Sequence, residues 1–304
     1  MENNNILSEG FQERYIDPFT DFGFKKLFGE ECNKDLLLDF LNELLDTKES
    51  KIVTLTYLKS EQLGRSEADR LAIFDLYCQN EKGEKFIVEM QKTKQAFFKD
   101  RDLYYSTFPI VKQAVKGDWN YELKAVYTIA ILDFVFDADK NDLDKYRYDI
   151  MLEDIVTHKI FYDKLKFVYL EMPKFNKDVN ELETRFEKWM YVIKNLKMLD
   201  RLPDKLRERV FEKMFAAAEI AKLTKEEYEQ YIMSLKIYRD NKNSIDTARE
   251  EGKEEGLAEG RAEGLENMKK TAITLIKMGM SVKDVNNATK LPAEQIEQLL
   301  FEIQ

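Results

Sequence analysis

Residues 71–92, LAIFDLYCQNEKGEKFIVEMQK, contain the pattern from which the architecture of this chain follows. Two runs rich in apolar residues, 71–78 and 85–92, are typical of β-strands. Between them lies the polar segment Glu81-Lys82-Gly83, which suits a three-residue hairpin loop with glycine in the left-handed conformation. The stretch therefore predicts two antiparallel strands joined by a tight hairpin.

The predicted hairpin brings two acidic residues and an amide onto one face. Closing the loop on 81–83 places Asp75 opposite Glu89, and the Cβ atoms of such a pair lie about 4.5–5.5 Å apart. Gln91 follows two residues later and projects from the same face as Glu89. Both acids lie in apolar runs, where a carboxylate is costly unless a divalent cation supplies the opposite charge. The spacing alone leaves two interpretations open, a metal site and a solvent-facing strand surface that carries ordinary charges.

The segments around the hairpin have the patterns of further helices and strands. Leucine and phenylalanine recur at helical spacing over Lys34–Leu45, and a second helix is predicted over 96–116. Three further strands are predicted at 51–58, within 121–136 and at 164–172. Strands and helices are therefore mixed through the first 175 residues.

The composition changes after Pro173, and nearly everything from about 181 to 304 is patterned as helix. Within this region, glycines recur at four-residue intervals and form one stripe along a helix; they are Gly252, Gly256, Gly260 and Gly264. Each glycine costs about 1 kcal/mol inside a helix. The stripe therefore indicates either the close approach of another helix or a flexible, charged connector.

The last segment, 271–304, is patterned as short helices, with Ser281 as an N-cap and Pro292 at an early helical position. Such a tail fits a DNA-reading helix-turn-helix or an ordinary small helical bundle. We therefore predict four segments: a core with its N-terminal lead-in over 1–175, a helical extension over 176–247, a glycine-punctuated charged helix over 248–270, and the helical tail over 271–304.

Composition excludes several kinds of site. One histidine and two cysteines are too few for a Cys/His zinc site, and no nucleophile motif accompanies His158. Catalysis is left to carboxylates with an oxygen-preferring ion such as Mg²⁺. The formal net charge of −10 argues against a nonspecific DNA coat but allows one basic face. Since neither a signal peptide nor a membrane span is recognisable, we expect a cytoplasmic protein without membrane contact.

Several motifs resemble, in order, the PD-(D/E)XK nuclease family transposases, also called the Rpn family of recombination-promoting nucleases and transposases. The matching stretches are DPFTDFGFKKLFG (17–29), DLLLDFLNELL (35–45), the strand around Asp75, IVEMQ (87–91) and RDLYYSTFPIVKQAVKGDWNYELKAVYTIAIL (101–132). The resemblance implies an α/β fold with a restriction-endonuclease-like PD-(D/E)XK core. In that core a mixed central sheet is flanked by helices, and here an α-helical C-terminal region follows it.

The same resemblance implies roles for individual residues. Asp75, Glu89 and the backbone carbonyl of Met90 would ligate the metal. Gln91 stands where the superfamily has a lysine that orients or polarises the attacking water. Glutamine can hydrogen-bond a water molecule, but it cannot stabilise negative charge as an ammonium does.

Polar side chains near the hairpin are candidates to complete the site. Arg101 and Tyr105 lie four residues apart on one face of the predicted helix, and both fall within the matching RDLYY stretch. We assign them, together with Lys25 and Gln113, roles in DNA binding or in support of the site. For Lys25, an ordinary surface charge is the alternative.

The expected function is that of a metal-dependent DNA endonuclease associated with recombination or mobile elements. Its cofactor would be Mg²⁺ or another divalent cation, its partner DNA, and the C-terminal helices would form homo-oligomers. One alternative is a DDE-like transposase, which needs three acids and fits the Glu-x-Gln hairpin poorly. The other is a non-catalytic DNA-binding or assembly module, in which Gln91 marks decayed catalysis.

Overall fold

The computed structural model describes residues 13–45, 51–62, 72–114 and 120–303. Its helices are α1 (Asp21–Phe28), α2 (Lys34–Leu45), α3 (Phe98–Val111), α4 (Arg185–Asn195), α5 (Arg209–Ala218), α6 (Lys225–Lys277), α7 (Val282–Thr289) and α8 (Ala293–Ile303). Its strands are β1 (Leu55–Tyr57), β2 (Glu61–Gln62), β3 (Ala72–Ile73), β4 (Leu76–Asn80), β5 (Lys85–Gln91), β6 (Val126–Leu132), β7 (Arg147–Glu153) and β8 (Ile160–Glu171). The chain divides into two compact units, one up to Asn241 and one from Lys242 onward.

The first unit is built on a six-stranded mixed sheet with the strand order β1-β4-β5-β6-β8-β7. Strands β5, β6 and β8 run parallel, and the other neighbours are antiparallel. A separate two-stranded sheet pairs β2 with β3. The predicted fold class, a mixed sheet flanked by helices and followed by a helical region, is confirmed. In the ranges that the structure describes, no helix combines the length and apolarity of a membrane span.

The central hairpin has the predicted register. Leu76 lies opposite Val88, which is the alignment obtained by closing the loop at 81–83. Gly83 has a φ of +80°, and its amide donates to the carbonyl of Asn80 at 3.1 Å. A side chain is strained in this left-handed conformation, so the turn favours glycine here.

The strand predicted over 71–78, of which 72–78 are described, is interrupted rather than continuous. Ala72–Ile73 forms β3 and pairs with β2, and Asp75 lies in a bend before β4 begins. The amide of Phe74 donates to the carbonyl of Ser60 at 3.1 Å, which draws the chain toward β2. The break leaves the Asp75 side chain at the end of the hairpin rather than within its ladder.

Other elements differ from the predictions in length or were not predicted. Helix α2 has the predicted bounds, and β6 lies within 121–136 as predicted. Strand β1 and helix α3 are shorter than the predicted 51–58 and 96–116, of which 115 and 116 lie outside the described residues. Strand β8 begins at Ile160 rather than at 164. The sequence patterns do not predict α1 or β7. Strand β7 is an exposed edge strand. It forms because it pairs with β8, and its own sequence has no apolar pattern that would predict it.

Both faces of the sheet are covered by helices. On one face, Val88 and Met90 of β5 belong to the largest core, together with residues of α1, α2, α4, α5 and α6. On the other face, Phe98 and Tyr105 of α3 pack into two smaller clusters on the sheet. Glu89 and Gln91 alternate with the first pair along β5, so they project toward α3.

Helices α4 and α5 and the beginning of α6 share the core of the sheet. Trp189 of α4 is fully buried, with ring centroids 5.7 Å from Phe40 and 5.1 Å from Phe211. Its indole Nε1 donates to the carboxylate of Asp39 at 2.8 Å. The hydrophobic packing therefore continues from the sheet into the helical extension. The predicted boundaries of the four segments, at 175, 247 and 270, stay predictions.

The second unit contains α6 from Lys242 onward, then α7 and α8. Ser281 caps α7, because its hydroxyl accepts a hydrogen bond from the amide of Asp284, and α8 begins directly after Pro292. A small core joins the three helices through Ala272, Val285, Leu291, Ile296 and Leu299. This arrangement suits both interpretations of the tail, a helix-turn-helix and a small bundle.

Candidate active site

Asp75 lies at the end of the hairpin, in the bend that precedes β4. Its Oδ2 accepts a hydrogen bond from the amide of Met90 at 2.9 Å, which ties the bend to β5. Burial raises the pKa of the Asp75 carboxyl and Asp21 adds to the rise, whereas the Met90 amide, Lys25 and Lys92 lower that pKa. The carboxylate is therefore fixed in place between groups of both charges.

Glu89 lies beside Ala130 of the neighbouring strand and faces α3. It is 6% exposed, and its Oε1 has no hydrogen-bond partner in the described ranges. Burial raises the pKa of Glu89 to about 8; Asp102 and Asp75 add to the rise, and Arg101 opposes it. A buried carboxylate with an unpartnered oxygen is costly without a compensating cation.

Arg101 and Tyr105 lie beside this carboxylate. The Nη2 of Arg101 donates to Oε1 of Gln91 at 2.7 Å and lies 3.5 Å from Oε2 of Glu89. Its guanidinium carbon lies 5.6 Å from the ring centre of Tyr105. Arg101 thus brings to the hairpin the positive charge that Gln91 lacks.

Gln91 is held at both ends of its amide. Its Oε1 accepts from Arg101, and its Nε2 donates to the carbonyl of Thr93 at 2.8 Å. An amide nitrogen has two hydrogens and a carbonyl oxygen two lone pairs, so each end keeps the capacity for one more hydrogen bond. The side chain is oriented and can still hold a water molecule.

Sequence reasoning missed Asp102, a fully buried carboxylate on α3. Neither of its oxygens has a hydrogen-bond partner of standard geometry among the residues described. Burial raises the pKa of Asp102 to about 7, and Arg101 and the nearby Tyr169 hydroxyl act in the opposite direction. The signal for it was its place in the buried stripe of α3, between Phe98 and Ser106 at four-residue spacing.

Lys92 was also missed, although it directly follows Gln91 in the sequence. With Asp75 and Lys25 it lines a pocket of about 650 Å³ on the side of the sheet that α1 covers. Burial lowers the pKa of Lys92, and the charges of Asp21 and Asp75 raise that pKa. Lys25 forms an ion pair with Asp21 at 3.0 Å. The site therefore has cationic side chains on both sides of the hairpin.

Gln113 lies away from the other predicted site residues. Its Oε1 accepts from the amide of Lys124 at 2.7 Å, just before β6 begins. This is the end of the sheet where Lys85 pairs with Val126, whereas Gln91 lies at the opposite end of β5. The structure therefore gives Gln113 a place in holding a loop and brings it to neither acid.

The carboxylate and carbonyl oxygens at the hairpin are of the kind that a hard divalent cation prefers. Across the described parts of the chain, no group of three or more His, Cys, Asp or Glu side chains forms a metal-binding cluster. Mg²⁺ usually takes one or two carboxylates and keeps several waters, so Asp75 and Glu89 with the Met90 carbonyl are a suitable set. The unpartnered Oε1 of Glu89 and the mutual repulsion of the acids agree with this fit.

Comparison with known families gives a match over most of the chain. A family model described as PD-(D/E)XK nuclease family transposase matches residues 18–248, more than half of the chain. The match covers the hairpin, α3 and the helices that share the core of the sheet. No curated protein and no solved structure matches the chain.

Proposed function

The chain belongs to the PD-(D/E)XK nuclease family transposases, and on this premise we propose that it is a divalent-metal-dependent DNA endonuclease. Membership indicates a nuclease- or transposase-related function; the metal, the substrate, the site and a role in recombination or mobile elements are our proposals. The observation that carries them is the buried Glu89 carboxylate, whose Oε1 is unpartnered in the described ranges and whose negative charge Asp102 and Asp75 repel.

The proposed reaction is phosphodiester hydrolysis. A water oxygen adds to the scissile phosphorus, and the bond to O3′ breaks. O3′ takes a proton and leaves as a 3′-hydroxyl, and the other end keeps a 5′-phosphate. A cation held by Asp75, Glu89 and the Met90 carbonyl would lower the pKa of a bound water and neutralise phosphate charge.

The residues around the acids would position the reactants. Gln91, oriented at both ends of its amide, uses its remaining hydrogen-bonding capacity to hold the attacking water. Arg101 places positive charge beside Glu89, where negative charge develops on the phosphate oxygens. A fixed guanidinium in a partly buried site stabilises that charge more than it would in water.

Nicking of supercoiled plasmid DNA tests the proposal. Asp75→Ala and Glu89→Ala should each lower Mg²⁺-dependent nicking at least about a hundredfold, because each removes a ligand of the cation. Glu81→Ala, at the turn of the same hairpin, is the matched control and should cut like the wild type. Thermal unfolding of each variant checks the fold. Undiminished cleavage by both site variants would exclude this site.

The same assay separates the alternatives. A wild-type chain that binds DNA but cuts with none of Mg²⁺, Mn²⁺ or Co²⁺ would support the non-catalytic module. Joining of defined DNA ends in place of hydrolysis would support the DDE-like alternative.

A further inference from the structure

A pocket of about 650 Å³ reaches Asp75 from the side of the sheet opposite Arg101. Its walls come from α1, from the first turns of α6, and from the chain just before β4 and just after β5. Asp75 and Lys92 both line it, so the pocket is continuous with the proposed catalytic carboxylate. Its volume is in the range of pockets that hold a small ligand, and exceeds what a single water needs.

Three lysines line this pocket, and they differ in how their charge is balanced. Lys26 is paired with both Glu30, at 3.0 Å, and Glu227, at 2.6 Å. Lys25 is paired with Asp21. Lys92 is partly buried and forms neither an ion pair nor a hydrogen bond with the residues that the structure describes.

The remaining lining suits a sugar-phosphate chain. Ser60, Gln230 and Ser234 provide hydroxyl and amide groups, and Met233 and Ile237 are exposed apolar side chains on the α6 wall. The hydroxyl of Ser234 already accepts from the amide of Phe22 at 3.1 Å, which leaves its hydrogen to donate. An ammonium and hydroxyl donors are the groups that bind backbone phosphates.

Resting on the proposed function, we propose that this pocket receives a backbone phosphate next to the scissile one, and that Lys92 is the residue that binds it. The DNA strand would then pass Asp75 on the α1 side, while Arg101 acts from the α3 side. Gln91 has no charge of its own. It would then lie between two cationic side chains, Arg101 on the α3 side of the sheet and Lys92 on the α1 side.

Binding of a fluorescein-labelled DNA duplex in EDTA, followed by fluorescence anisotropy over about 50 to 200 mM salt, tests this proposal. Neutralising one phosphate contact lowers the slope of log affinity against log salt by about one. Lys92→Gln should show this loss, and Lys92→Arg should retain the wild-type slope. If Lys92→Gln does not fold, Lys92→Met takes its place in the experiment, because methionine removes the charge and keeps an apolar side chain packed at this position.

Lys85 offers a matched control at the other end of β5. It is also partly buried, and its ammonium donates to the neutral side chain of Gln79. Lys85→Gln removes the same charge from the start of β5, whereas Lys92 directly follows its end, and it should leave the slope unchanged. An unchanged slope in Lys92→Gln, or an equal fall in both variants, would overturn the assignment.

Because anisotropy in EDTA does not require cleavage, the two proposals fail separately. A wild type that shows the Lys92-dependent slope but never cuts DNA overturns the proposed function alone. A wild type that cuts DNA, with the slope unchanged in Lys92→Gln, overturns the phosphate pocket alone. A wild type that does not bind DNA overturns both.

Discussion

The burial of Asp102 should change the free energy of unfolding of the whole first unit in a pH-dependent way. Its pKa is raised to about 7 by burial. A carboxyl whose pKa is higher in the folded protein than in the unfolded chain stabilises the fold while it is protonated. This contribution is complete at pH values below the unfolded pKa of about 4, and it is lost as the pH rises through the folded pKa of about 7. Asp102→Asn should therefore stabilise the metal-free protein at about pH 8, by on the order of 2–4 kcal/mol, and less at lower pH.

Urea unfolding in EDTA at about pH 5 and pH 8 measures this difference. Asp100→Asn is the control, because Asp100 lies exposed on the same helix and should change stability little at either pH. Lower stability of Asp102→Asn at the higher pH would mean that the charged carboxylate has a stabilising partner.

Replacing Gln91 by the lysine typical of the superfamily should lower cleavage rather than raise it. Arg101 already donates to Oε1 of Gln91 at 2.7 Å, so Gln91→Lys removes the acceptor and sets two cations against each other. We expect a fall of about tenfold in kcat. The double variant with Arg101→Met should recover activity, which a double-mutant cycle in kcat would measure. A faster Gln91→Lys enzyme would contradict the role given to Arg101.

The residues of the site differ in how far the sequence predicts them. Glu89 and Gln91 follow from local rules, because a three-residue turn sets the register of the hairpin. Asp75 lies just beyond the paired residues, in a bend that the contact between Phe74 and Ser60 produces, so it is not paired opposite Glu89 as predicted. Asp102 is harder, since only its place in a buried helical stripe distinguishes it from other acids. Lys92 depends on the packing of α1 and α6, which lie far from it in sequence, so no local pattern predicts that it lines a pocket with Asp75.

At the scale of elements, glycine has opposite effects in the hairpin and in α6. The hairpin turn requires the conformation that glycine adopts at position 83, whereas the glycines inside α6 lower the stability of the helix. Gly83→Ala should cost about 1 kcal/mol, because alanine is strained at the φ of +80°. Gly252→Ala is the matched control: outside its own helix, no described atom lies within 4 Å of the added methyl, and alanine favours the helix by up to about 1 kcal/mol. Urea unfolding and far-ultraviolet circular dichroism measure the pair. Wild-type stability of Gly83→Ala would show that the turn relaxes.

Elements with a strong local pattern were predicted well, and those defined by distant partners were not. Helix α2 has an apolar stripe and the predicted bounds. Strand β7 carries polar and apolar residues without clear alternation and exists through its pairing with β8. The bend at Asp75 arises because Phe74 bonds to Ser60, a contact that alternation along 71–78 does not indicate. Tertiary pairing overrode strand propensity there.

At the scale of the whole molecule, the distribution of charge bears on which unit binds DNA. The exposed face of α8 carries Glu294, Glu297 and Glu302 and, over the described helix, no lysine or arginine. A helix that reads DNA lies against phosphates, which such a face would repel. Glu294→Gln with Glu297→Gln should therefore leave the salt slope of DNA binding unchanged. A changed slope would indicate that the tail contacts DNA.

We propose that two copies of the chain associate through the glycine stripe of α6. Gly256 and Gly260 lie on a long exposed helix, beside the half-exposed apolar side chain of Leu257. Glycine lets a second helix approach closely, and leucine at both positions would hold it away. The variant Gly256→Leu/Gly260→Leu should therefore sediment at lower mass than the wild type, whereas Gly256→Ala/Gly260→Ala should keep the wild-type mass. Equal mass for all three proteins in sedimentation velocity would show that the stripe is not the interface.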